Sequence, residues 1–139
     1  MYSVLIIDDD AVDRLALKRA LSGQAGVSHV FEEINGENAI NFFVGYSANK
    51  RRYGEIYPPR LIIVDLSMPK IDGPGFLEAF AELRRINPDL NSRVIVYSAS
   101  ESNDTPDYAS DFEFVAAQWV KGQPLEALLA PLTINALAS

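Results

Sequence analysis

The sequence contains no cysteine. That absence excludes disulfides and thiolate-ligated zinc, and it accords with a reducing cytosol. Basic residues are also few: 12 Lys and Arg stand against 19 Asp and Glu, for a formal charge of −7. A nucleic-acid surface needs clustered Lys and Arg to displace counterions from phosphates, so no nucleic-acid partner is expected. Long apolar runs are missing too. The N-terminal one, Val4 to Ile7, is four residues long and ends in three aspartates. A signal peptide starts basic and carries a longer apolar core. Nothing approaches the roughly 20 apolar residues that span a bilayer, so a cytoplasmic chain without membrane association is expected. Internal repeats and low-complexity tracts are absent as well.

What is present fits one packed domain over residues 1–139, near the common domain size of about 100–150 residues. Short apolar runs alternate with amphipathic segments, the pattern of βαβ units and a parallel sheet. Strands are expected at Val4 to Ile7, Val27 to Ile34, Leu61 to Val64, Val94 to Tyr97 and Ala117 to Val120. The second is the most polar and suits a sheet edge. Helices are expected over Ala11 to Leu21 with Val12, Leu15, Ala16 and Leu21 inward, and over about 37–46 with Ala39, Ile40, Phe43 and Val44. Others follow at Phe76 to Ile86, Pro106 to Phe114 and Pro124 to Leu132, while Ser47 to Arg60 reads as an internal connection. Right-handed crossovers then give an α/β, doubly wound five-stranded parallel sheet with helices on both faces.

In such sheets ligands bind outside the carboxyl ends of the strands. The polar residues of interest fall there: Asp8 and Asp9 after the first strand, Asp65 ending the third, Ser98 after the fourth, Lys121 after the fifth. Three carboxylates in one crevice raise each other's pKa unless a cation joins them. A hard divalent ion such as Mg²⁺ answers that with oxygen ligands. A carboxylate can also accept a phosphoryl group, with metal and ammonium neutralising the transferring oxygens.

These residues resemble the response-regulator receiver domains of two-component signalling, in particular the chemotaxis-regulator type. The matching pieces are Val4 to Asp10, Leu61 to Gly73, Val94 to Ala99 and Trp119-Val120-Lys121, in the family's order. The resemblance implies a flavodoxin-like strand order 2-1-3-4-5 and Asp65 as phosphoacceptor. It implies a Mg²⁺ or Mn²⁺ held by Asp8, Asp9, Asp65 and the backbone carbonyl of Ser67, with Ser98 and Lys121 on the phosphoryl group. It further implies a sensor histidine kinase or histidine phosphotransfer protein as donor, and a downstream protein target. Such a domain is a signalling phosphoprotein, catalysing only its own phosphorylation and dephosphorylation. With the sequence ending at Ser139, no output domain is expected and the output is a protein contact.

Two positions depart from the family. Gly122-Gln123 separate Lys121 from Pro124, and Gln118 stands where the family often carries an aromatic relay. Signalling is therefore expected to run through Ser98 and Lys121 and to reorder the polar segment 101–107. Asp10 and Asp72 read as helix caps, Trp119 as core, His29 as surface, and Lys50-Arg51-Arg52 as a solvated helix end. Lacking any second histidine, the chain is not itself a histidine phosphotransfer module. The alternative reading is a haloacid-dehalogenase-like phosphatase, with Asp8 as nucleophile and Asp10 as general acid. It leaves Asp65 and the Met68 to Gly73 segment unexplained.

Overall fold

The computed structural model describes residues 2–24, 26–68, 70–98 and 107–121. Strands β1 (Tyr2–Ile7), β2 (Val27–Glu33), β3 (Leu61–Asp65), β4 (Arg93–Ser98) and β5 (Val115–Val120) are all parallel, in the order β2-β1-β3-β4-β5. The connections carry α1 (Ala11–Ser22), α2 (Gly36–Val44), α3 (Tyr46–Tyr53), α4 (Gly73–Ile86) and a single turn, α5 (Tyr108–Asp111). The doubly wound sheet and its strand order are thus as the sequence implied. The helix expected over 124–132, the Gly122-Gln123 insertion and the segment 101–106 lie outside the described residues. Among the described residues no helix is long and apolar enough to cross a membrane.

Because strand side chains alternate between faces, each buried strand feeds two cores. Leu5, Ile7, Ile62, Val64, Val94 and Val96 face α2 and α4, meeting Phe43, Phe76 and Phe80. Val4, Ile6, Leu61, Ile63, Ile95 and Tyr97 face the other way, onto Leu17, Ala20 and Leu21 of α1. This is why the strands read as continuous apolar runs rather than as alternating ones.

The expected inward face of α1 is corrected. Val12 is 74% and Leu15 47% exposed, whereas Leu17, Ala20 and Leu21 are buried. The first turn turns Asp13 and Arg14 toward the sheet end instead of an apolar pair. In α2 the same holds for Val44, which is exposed while Ala39 and Phe43 are buried.

The connection Ser47 to Arg60 is not a plain loop, since it contains α3 and a 3-10 turn at Gly54–Ile56. Its helix buries no residue and is tethered by polar groups. Asn49 Nδ2 donates to the Phe42 carbonyl at 2.8 Å, and Lys50 Nζ to the Tyr57 carbonyl at 2.8 Å. Lys50, Arg51 and Arg52 do form a helix end, where positive charge offsets the exposed carbonyls. Likewise, the helix expected over Pro106 to Phe114 shrinks to α5, because the Phe114 carbonyl already accepts from the Val94 N–H at 2.9 Å beside β4.

Helix α4 begins at Gly73, three residues earlier than the apolar pattern suggests. Asp72 caps it by accepting from the Gly75 N–H at 2.9 Å, and Pro74 occupies the first turn, where its missing N–H costs nothing. A methyl at Gly73 would stand 2.6 Å from Leu66 Cα and 2.7 Å from the Asp65 carbonyl oxygen. Both neighbours are backbone and cannot swing aside. Gly73→Ala is therefore expected to cost about 3 kcal/mol, the upper end for overpacking. Thermal denaturation checks it, with Tm expected to fall by about 10 °C for a domain of this size.

Candidate functional site

Register brings the strand ends together. Ile7 pairs with Val64, Asp65 with Tyr97, and Ser98 with Val120. The residues that leave β1, β3, β4 and β5 therefore share one end of the sheet. Asp8, Asp9 and Asp65 each present a carboxylate oxygen there, all within 4.8 Å of one another. Asp8 and Asp65 are buried, at 0% and 3% exposure, while Asp9 is exposed.

Lys121 reaches into the same crevice. Its Nζ lies 2.7 Å from Asp13 Oδ2, 3.3 Å from Asp65 Oδ2 and 3.7 Å from Asp8 Oδ2. The ammonium also sits over the Tyr97 ring, 4.8 Å from its centroid, a favourable placement for a cation on an aromatic face. Its backbone N–H donates to the Ser98 carbonyl at 2.7 Å, which sets the lysine beside the end of β4. Ser67, in the turn after β3, donates its N–H to Asp65 Oδ1 at 3.1 Å. Asp8, Asp9, Asp65 and Lys121 are thus gathered directly, and Ser67 and Ser98 adjoin them through the backbone.

Three residues of the site were not legible in advance. Tyr97 donates its hydroxyl to Asp8 Oδ2, Arg14 Nη1 donates to the Asp8 carbonyl at 2.8 Å, and Asp13 is the nearest partner of Lys121. Tyr97 had read only as an apolar strand residue, and strand-end logic gives no signal for a helix residue such as Asp13.

Burial dominates the electrostatics. It pushes Asp8 up to about 6, against the hydrogen bonds from Tyr97 and the Asp10 N–H; the nearby Asp65 charge adds to the rise and Lys121 opposes it. The mutual repulsion expected from the sequence is present but secondary. Burial likewise raises Tyr97, aided by Asp8, so its hydroxyl remains a donor. For Lys121 burial works against the charge, yet the hydrogen bond to Asp13 and the charges of Asp65 and Asp8 outweigh it and raise the pKa. The lysine stays an ammonium. An acidic trio with a fixed cation beside it suits a hard divalent ion and an anionic group arriving together.

The phosphatase alternative gains no support from this geometry. Asp8 Oδ1 accepts from the Asp10 N–H at 2.9 Å and Oδ2 from the Tyr97 hydroxyl, and Lys121 Nζ lies nearer Asp65, at 3.3 Å, than Asp8, at 3.7 Å. Asp10 is a helix cap, accepting from the Val12 N–H at 2.8 Å.

Gln118 is more than a missing ring. Its Oε1 accepts from the Tyr108 N–H at 2.7 Å, tying β5 to the first residue of α5. Gln118→Ala is expected to cost about 1 kcal/mol and to speed amide exchange at Tyr108 most. Unchanged exchange there would mean that the turn holds without it. Trp119 is buried against Tyr97, and His29 is exposed on the edge strand.

Comparison with known proteins agrees with this geometry. The chain is 30% identical over 100 residues to a probable chemotaxis protein CheY of Rhizobium etli, covering 72% of this chain and 65% of that protein. A two-component response regulator from Cytophaga hutchinsonii superposes with a TM-score of 0.80 at 24% identity, over 100% of this chain and 98% of its own. The receiver domain of the histidine kinase CKI1 from Arabidopsis thaliana, complexed with Mg²⁺ and BeF₃⁻, superposes with a TM-score of 0.57 at 24% identity, over 73% and 68%. Residues 4–116 match the response regulator receiver domain model. That match runs through the acidic pair and the β3 aspartate and ends two residues into β5, so this chain, a signalling domain of two-component systems, belongs to the response regulator receiver family.

Proposed function

We propose that the domain accepts a phosphoryl group on Asp65 from a histidine kinase or a histidine phosphotransfer protein, and passes that state on by contact with a downstream protein. The observation that carries this reading is the meeting of three carboxylates and one ammonium at a single end of the sheet. Asp65 is the acceptor because its Oδ1 is oriented by the Ser67 N–H and its Oδ2 faces Lys121. An Asp65 oxygen attacks phosphorus, and the bond from phosphorus to the donor's imidazole nitrogen breaks. That nitrogen keeps the electron pair, and a proton already on the other ring nitrogen leaves a neutral imidazole.

Asp8, Asp9 and Asp65, with the Ser67 carbonyl, would hold Mg²⁺ or Mn²⁺, which when bound neutralises charge on the transferring oxygens. The donor set fits, since all three side chains offer hard oxygen and two of them are buried. The Arabidopsis domain that holds Mg²⁺ and BeF₃⁻ has the same fold, which supports the metal. Lys121 neutralises a second phosphoryl oxygen, and the Ser98 hydroxyl donates to a third. The domain catalyses its own phosphorylation and dephosphorylation and no other reaction. It works in the cytoplasm, without nucleic acid or membrane.

Incubation with a small phosphodonor and Mg²⁺, followed by borohydride trapping and tryptic digestion, tests this. One phosphoryl group is expected, trapped on the peptide of residues 61–70, in which Asp65 is the sole carboxylate. Trapping on residues 1–14 would instead place the acceptor among the N-terminal aspartates.

A further inference from the structure

Asp13 occupies an unexpected place. Leu17, Ala20 and Leu21, the buried residues of α1, lie four, seven and eight positions after it, so Asp13 continues the stripe that faces the sheet. An apolar residue at that position would extend the core. A carboxylate there, half-buried, is matched among the described residues by one cation, Lys121 at 2.7 Å. That contact is shorter than the one from the same Nζ to Asp65, at 3.3 Å, and the approach to Asp8, at 3.7 Å, is longer still.

The turn that carries Asp13 is fixed. Its N–H and that of Val12 both donate to the Asp10 side chain. The next residue, Arg14, grips the Asp8 carbonyl and Glu32. The Asp13 carboxylate is therefore a stationary partner, whereas Lys121 has a flexible stem.

We propose that Asp13 is a positioning residue for Lys121, holding the ammonium on the α1 side of the crevice until a phosphoryl group on Asp65 draws it away. The inference rests on Asp65 being the phosphoacceptor. An ammonium has three protons to donate, and any held by Asp13 are not on the phosphoryl oxygens. Each gain of contact with the phosphoryl group thus comes at the expense of the Asp13 pair, and Asp13 lowers the occupancy of the phosphorylated state.

Titration of the Mg²⁺-loaded protein with beryllofluoride, read by Trp119 fluorescence, tests this. Asp13→Asn should tighten beryllofluoride binding by about fivefold, the upper end for a partly exposed ion pair. Asp13→Glu, which can still reach Lys121, should stay within about twofold of wild type. In a Lys121→Met background the gain from Asp13→Asn should vanish. The Lys121 Cε resonance provides a second reading that needs no binding by the Lys121→Met variant. In Asp13→Asn without beryllofluoride it should already lie toward its beryllofluoride-bound position. Equal affinity of wild type and Asp13→Asn, an undiminished gain in the Lys121→Met background, or an unmoved resonance overturns the inference while leaving Asp65 as acceptor. A wild type that binds no beryllofluoride overturns the acceptor reading, and the Asp13 inference with it.

Discussion

Asp65→Asn is expected to reduce phosphoryl incorporation to background while the protein stays folded. The amide is a neutral, weak nucleophile, so the attacking oxygen is lost, not merely displaced. The fold tolerates the change because the Asn oxygen can keep the Ser67 N–H that Asp65 Oδ1 accepts at 3.1 Å. The amide nitrogen then faces Lys121 Nζ, donor against donor, across the position where the lysine now lies 3.3 Å from Asp65 Oδ2. Lys121 answers by moving wholly onto Asp13, its nearest partner at 2.7 Å. Far-UV circular dichroism should be unchanged, and mass spectrometry after treatment with a phosphodonor and Mg²⁺ should find no added phosphoryl group. Label that persists on residues 1–14 would revive an N-terminal nucleophile. Label that persists on residues 61–70 and resists hydroxylamine would be a phosphoserine at Ser67, not an acyl phosphate.

The strand-end residues were legible because the chemistry is abrupt there. Val4 to Ile7 and Leu61 to Val64 are fully buried apolar runs, each stopped by aspartate, and a doubly wound sheet gathers such ends. Helix faces were less legible. The apolar residues of α1 divide between an exposed set, Val12 and Leu15, and a buried set, Leu17, Ala20 and Leu21. Hydrophobicity alone favours neither, and the decision falls to Asp13 and Arg14, whose partners are 108 residues away at Lys121 and next to β1 at Asp8. Helix α3 was invisible for a related reason. It buries no residue fully, only Tyr46 and Tyr53 at its ends packing against the core's edge, and is otherwise held by side-chain to carbonyl hydrogen bonds, which leave no periodic trace. Tyr97 and Gln118 carried no local signal either, since each acts by reaching a residue on another element. Local patterning located the acidic cluster, and long-range polar contacts, unreadable from one sequence, complete it.

Asp8→Asn should raise the stability of the metal-free protein at neutral pH and lower it relative to wild type once Mg²⁺ is added. In the folded protein Asp8 titrates at about 6, against an ordinary value of 3.8, chiefly because it is buried. Between about pH 4 and pH 6 the folded chain therefore holds a proton that the unfolded chain has released. Stability falls as pH rises through that window, and the whole cost is present above about pH 6. For a side chain with no solvent exposure that cost is roughly 3 kcal/mol. Asparagine carries no charge and removes the dependence. Its oxygen can take the Asp10 N–H while its amide donates to the Tyr97 hydroxyl, an exchange worth about 1 kcal/mol at most. At pH 7 without metal the variant should thus be more stable by roughly 2 kcal/mol, or about 5 °C in Tm, and toward pH 4 the order should reverse, leaving the wild type ahead by about 1 kcal/mol at most. Mg²⁺ reverses the order. At a hundred times its Kd it would stabilise the wild type by about 2.7 kcal/mol, while the variant, short of one carboxylate, gains little. Thermal scans from pH 4 to pH 8, with and without Mg²⁺, separate these effects. A lower Tm for Asp8→Asn at pH 7 without metal would mean that the buried carboxylate stabilises the fold through Tyr97 and Lys121 instead of burdening it.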